Sequence, residues 1–267
     1  MLSIPLLKQD LMENIRLWLI VTGAMTLYTV LLIAGCGPGG EANVPVFFEI
    51  LPDSLRMALG LERYEPSLNG VLGGYLYGTV FMIAPLLFSI PAACRLVAAK
   101  TESGMMTWIL AAPCDRARIA FTQIYFLGFG LFLMFFVTGT AGMIWGLWKQ
   151  PALFSAGSFF LMNLGAFCLH FCVGGAAFLA SCACNDRETA LMIGTGVPLL
   201  FYLIYMLSNM GGILDYLKYA TVFSLCSAGD IVEGNLMFAW KYPVLILSGV
   251  FLSWMGMRTF EKRDLPL

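Results

Sequence analysis

The chain has a single histidine, His170, and the residues around it are the first place to look for chemistry. It lies between Cys168 and Cys172, which share a helix face at i and i+4, and Cys182 and Cys184 follow in the same uncharged stretch. Imidazole and thiolates at that spacing outline a zinc or iron site, and the same thiols could serve a membrane-embedded metal or thiol enzyme. No carboxylate stands in the stretch to orient the imidazole, and cysteine is a common buried residue. The favoured reading is therefore a packed core with His170 bonded to a neighbouring helix, and no metal. Gly35-x-Gly37-x-x-Gly40 spells a dinucleotide fingerprint, but it follows an apolar run with no βαβ unit around it and carries no cofactor. A phosphate-cradling Gly-x-x-x-x-Gly-Lys-[Ser/Thr] loop does not occur, nor does any Gly-Lys dipeptide. The chain is thus not expected to be an enzyme, and any ATP it depends on is bound by a partner.

The elements that must hold these residues are set by a shortage of charge. Of 267 residues, 60% are hydrophobic and 12% charged, about half the usual charged share of a soluble domain. A net charge of −1 and a pI near 5.8 give no basic stripe for nucleic acid. Cutting the chain at its charges leaves six apolar segments, and the expected membrane helices are about 17–36, 71–94, 118–146, 153–181, 189–208 and 239–257. The apolar run of the last, Tyr242 to Met257, is short, but Lys241 and Arg258 can snorkel at its ends. The first is too long for a signal-peptide core and no small-residue cleavage site follows, so it is read as retained. The expected fold is all-α and integral to the membrane, a single transmembrane domain over 1–267.

Six spans put both termini on one side. With the termini inside, that side carries Lys8, Arg16, Arg95, Lys100, Arg116, Arg118, Arg187, Arg258, Lys262 and Arg263, ten of the fifteen basic residues, while acids divide evenly. The positive-inside rule then makes the termini cytoplasmic. Most cysteines fall in spans or on the reducing side; Cys36 and Cys226 lie near the outer face, where a bridge is conceivable.

Three connections carry further pattern. In the outer connection 37–65, Asp53 or Ser54 can cap a short helix with Leu55, Ala58 and Leu59 on one face. In the outer connection 208–240, sparse charges among apolar residues fit a re-entrant pair of short helices. Between spans two and three, Thr101 or Ser103 can cap a helix in which Met105, Trp108, Ile109 and Ala112 recur at helical spacing, and Pro113 stops it. Periodicity alone allows an interfacial anchor there as readily as a docking element.

In the inner connection Glu102, Ser103, Gly104, Trp108, Leu110, Pro113 and Arg116 form a pattern that resembles the loop motif of the permease subunits of type 2 ABC transporters, a family of mostly exporters. "LLKQDLMENIRLWLI" resembles its amphipathic elbow helix before the first span, "LPDSLRMALGL" an outer segment of one branch, "LKYATVFSLCSAGDIVEGN" its outer re-entrant region, and "FEKRDLPL" its closing Phe-x-x-Arg-Asp. Trp108, Cys114 and Asp115 depart from the commoner Leu, Val and Ser. The resemblance covers nearly the whole chain and implies a plasma-membrane permease that pairs with a second copy or a close relative. Two cytosolic ATPase subunits would hold ATP and Mg. Glu102, Ser103, Gly104, Met105, Met106, Trp108, Leu110, Pro113 and Arg116 would form the ATPase-coupling helix, with Met105, Met106 and Trp108 filling a groove and Glu102 and Arg116 at its rim. Spans without buried acids or bases suit apolar or amphipathic cargo in contact with membrane lipid. An exported peptide toxin or antimicrobial peptide is the first expectation, a hydrophobic drug or lipid-like molecule the second. An accessory or sensing subunit that moves nothing is a third.

Overall fold

The computed structural model describes residues 2–36, 51–61, 68–111, 115–226, 228–232, 234–235 and 238–263. Among them no β-strand forms, and six helical stretches are long and apolar enough to cross a membrane: Ile4–Gly35, Leu68–Glu102, Arg116–Lys149, Ala156–Ala183, Arg187–Asn209 and Trp240–Lys262. The chain is an all-helical, multi-pass membrane protein. Gly37, Gly40 and Pro113 lie outside the described residues, as do Ala112 and Cys114.

The first helix, α1 (Ile4–Gly35), is unbroken, so residues 4–16 continue directly into the first apolar span. α2 (Asp53–Ala58) is the short outer helix; Pro52 occupies its N-cap position, and Ala58 is its buried residue. The second span is broken into pieces. It runs α3 (Leu68–Val71), a π-helix over Leu72–Val80, α4 (Phe81–Ile83), α5 (Leu86–Leu96) and α6 (Ala98–Glu102). Three glycines in "LGGYLYG" and the proline at 85 account for the irregularity: glycine tolerates wide turns, and Pro85 has no N–H to close one. α7 (Met105–Ala111) then leads to α8 (Arg116–Lys149), α9 (Ala156–Ala183) and α10 (Arg187–Asn209). Two 3₁₀ turns, Gly212–Ala220 and Val222–Leu225, and α11 (Ala228–Val232) precede α12 (Phe238–Lys262). The short apolar run Tyr242–Met257 thus lies within a helix of 25 residues.

α9 is the hub, packing on α5, α8, α10 and most extensively on α12. Small residues set that last approach: a methyl group on Gly175 would sit 2.7 Å from the Gly249 carbonyl oxygen, and one on Gly249 would sit 2.7 Å from the Phe171 ring. Without a hydrophobic drive between helices in lipid, such backbone proximity and van der Waals packing hold the pair. The outward faces of α1 and α10 stay apolar and exposed, with Leu19, Leu27 and Leu31 on one and Leu199, Leu203 and Leu207 on the other. In a lipid solvent these faces satisfy the composition that excluded a soluble fold.

Candidate functional site at the terminal face

Both ends of the described chain meet at the start of α8. Arg118 Nη2 donates to the Leu2 carbonyl at 3.0 Å, and Arg116 Nη1 to the Arg263 carbonyl at 2.9 Å. Arg263 in turn donates from Nη1 to the carbonyls of Cys182 and Cys184, each at 2.8 Å, and from Nη2 to Asn185 Oδ1. These contacts satisfy carbonyls that the end of α9 leaves without helical partners.

α6 and α7 project from this framework. Lys100 and Asp10, both almost wholly buried, form an ion pair between α6 and α1, with Glu13 Oε2 3.7 Å from the ammonium. Asn14 supports it by donating to the Asp10 carbonyl at 2.9 Å, and Arg95 Nη1 donates to Asn14 Oδ1 at 3.3 Å. Glu102 Oε2 accepts the Arg187 N–H at 2.7 Å, capping α10 together with Asp186, whose carboxylate accepts the Thr189 N–H at 2.7 Å. Hydrogen bonding from Thr189, its side chain first and then this N–H, holds the Asp186 carboxyl below the usual carboxylate range. Ser103 Oγ donates to the Lys100 carbonyl, and Gly104 at φ +72° turns the chain between α6 and α7, a conformation that favours glycine.

The arrangement differs from a single helix over 101–113. Glu102 ends one short helix, and Met105 begins another seven residues long. Met106 is 2% exposed and packs into this chain's own core, so it anchors α7 and is not free to fill a partner's groove. Arg116 is spent on the Arg263 carbonyl, and Leu110 packs partly against the core. Trp108 is 81% exposed, with Met105 and Thr107 beside it; Gln9 Nε2 donates to Met105 Sδ at 3.3 Å. The outward group is therefore Met105, Thr107 and Trp108, flanked by Glu102, Ser103 and Gly104.

The Cys168–His170–Cys172 stretch lies deep in α9. His170 is fully buried, stacks on Phe135 with centroids 5.7 Å apart, and places Nε2 2.7 Å from the Phe81 carbonyl. Four residues after Phe81 comes Pro85, so the carbonyl that lacks its helical N–H receives one from His170, which fixes Nε2 as the protonated nitrogen. Cys172 Sγ pairs with Ser248 Oγ at 3.1 Å. Among the described residues, no three His, Cys, Asp or Glu groups converge in a way that could hold a metal ion. Cys36 and Cys226 are free thiols; the conceivable bridge between them is not formed.

The Asp10–Lys100 pair and the Glu102 and Arg263 caps were not visible as sites in the sequence. Their partners are separated by some 80 to 90 residues, and each reads singly as an end-of-span charge. A comparison with protein-family profiles finds no match, and neither does one with curated protein sequences.

Proposed function

We propose that this chain is the membrane-spanning permease subunit of an ATP-driven exporter, with ATP and Mg held by a separate cytosolic ATPase. The observation that carries the reading is Trp108. A tryptophan 81% exposed on a short helix that follows directly on α6, itself tied to α1 and α10, is an anchor built to enter a groove. Met106 and the Lys100–Asp10 pair stiffen its mounting, and no phosphate-binding loop exists in the sequence to make the chain its own motor. Two copies of the chain, each seating α7 on one ATPase, form the proposed complex. The termini are cytoplasmic in a plasma membrane, residues 6–20 act as the elbow, and the outer re-entrant pair lies in the connection 208–240. The apolar spans favour an amphipathic cargo, first a peptide toxin or antimicrobial peptide.

A second cargo reading has its own observation. A cavity of about 220 Å³ between α1 and α8, lined by Leu11, Trp18, Phe88, Tyr125 and Phe129 with Asn14 as a polar member, has the character of a site for a hydrophobic small molecule or lipid-like cargo.

Purification of the tagged chain from its native membrane tests the proposal. It is expected to recover an ABC-type ATPase whose hydrolysis depends on the permease. In Trp108→Ala the recovery should drop by about 30-fold, the effect of losing a hot-spot anchor. A wild-type preparation that never contains an ATPase, or unchanged recovery in the variant, overturns the coupling role. Vesicles loaded with a peptide panel and with hydrophobic dyes separate the two cargo classes.

A further inference from the structure

A groove of about 570 Å³ opens between the first turns of α8 and the last turns of α12. Its wall changes character along its length. Asp115, Arg118, Arg258 and Glu261 are the charged groups, with Met257 beside them; Phe121 and Trp254, each about half exposed, lie one turn further into the two spans. The groove therefore straddles the level at which the spans pass from headgroups into hydrocarbon, where tryptophan and arginine are at home.

The charges are balanced, two guanidiniums against two carboxylates. A simple anion would meet the carboxylates and a simple cation the guanidiniums, so a ligand carrying both signs is the match. At this depth such a ligand has an apolar tail. We propose that the groove binds the headgroup of a phospholipid bearing a phosphate and a primary ammonium, a phosphatidylethanolamine. The phosphate lies between Arg118 and Arg258, the ammonium beside Asp115 and Glu261, and an acyl chain runs along Phe121 and Trp254. Arg118 spends Nη2 on the Leu2 carbonyl and leaves Nη1 for the phosphate, the geometry in which arginine outperforms lysine. Arg258 lies over the Trp254 ring at 5.5 Å, with Glu261 Oε2 at 3.3 Å. That stacking decides between zwitterionic headgroups. One indole face carries the guanidinium, and a single tryptophan does not make the aromatic cage a choline needs, while the carboxylates accept hydrogen bonds that an ammonium with N–H groups donates and a quaternary one lacks. This inference rests on the membrane reading alone and is independent of the exporter proposal.

Native mass spectrometry of the detergent-solubilised full chain, titrated with phosphatidylethanolamine, phosphatidylglycerol and phosphatidylcholine of the same acyl chains, reads the site. The ethanolamine lipid is expected to form the adducts most resistant to collisional removal. Arg258→Gln should weaken them by about tenfold, the loss of one charge-assisted contact. Glu261→Gln should shift preference toward phosphatidylglycerol, a change that a purely structural role for Glu261 would not produce. Arg258 is exposed and Glu261 partly so, and glutamine keeps the size of either side chain, so the folded chain survives either substitution. Equal retention of the three lipids, or a lipid preference unchanged in both variants, overturns the proposal. Glycerophosphoethanolamine provides the last arm: failure to compete supports a lipid, and competition as strong as that of the intact lipid overturns the lipid assignment in favour of a soluble zwitterion.

Discussion

His170 shows how a residue that looks catalytic by type becomes structural by partner. The imidazole supplies the N–H that Pro85 denies to the Phe81 carbonyl, so its replacement strands a buried acceptor. His170→Ala should lower stability in detergent by about 1–3 kcal/mol, read by thermal or denaturant unfolding. A neutral result would mean the carbonyl has another donor. A packed core with His170 bonded to a neighbouring helix was legible in the sequence because the stretch has no charge to serve a reaction. Which helix supplied the acceptor was not legible, since the missing donor lies 85 residues upstream in a different span. Asp186 offers a pH signature at the same scale. Hydrogen bonds from the Thr189 side chain and N–H keep the folded carboxyl more acidic than the unfolded one, so its stabilisation is present above the ordinary carboxylate range and fades as pH falls through the lowered value. The stability gap between wild type and Asp186→Ala should therefore narrow in acid, as measured by melting temperature across a pH series.

Helices meet here through buried charge and through small residues, and the two devices fail differently. Removing Lys100 leaves Asp10 buried without its counter-ion, so Lys100→Met should cost about 3–5 kcal/mol, while the double variant Asp10→Leu with Lys100→Met should recover much of it. A double-mutant cycle on unfolding free energies checks the coupling; additive losses would remove the pair from the account. At the α9–α12 contact the limit is space. Gly175→Val puts atoms where the Gly249 carbonyl already stands and should destabilise by about 1–3 kcal/mol or more, seen as a lower melting temperature with the helical circular dichroism retained before unfolding. Six spans were legible because the bilayer demands long uncharged runs, and even the shortest run proved to be the middle of a full-length helix. The break between α6 and α7 was not. Thr101 and Ser103 satisfy the rules for a helix start, yet Thr101 ends up inside α6, because α5 and α6 carry the second span two turns beyond its apolar run. The π-helix over Leu72–Val80 was equally hidden, since glycine permits a wide turn without requiring one.

At the scale of the whole molecule, the few charges gather where six helices end, and many of them are occupied with one another or with backbone carbonyls. Trp108 stands apart from that economy as a large apolar group turned outward on the terminal face. If the proposed ATPase seats on it, Glu102→Gln should impair coupling less than Trp108→Ala, because Glu102 is engaged with the Arg187 N–H and not held out for a partner. ATPase stimulation by the permease variants, measured side by side in vesicles, gives the ranking, and the reverse order would count against the geometry. The Glu102 contact has a mechanical consequence as well. Beside the turn at Gly104, a carboxylate rivets the end of α6 to the first turn of α10 and an ion pair rivets α6 to α1. If the proposed ATPase presses on α7, the load is shared among the first, second and fifth spans at once instead of passing down one rod.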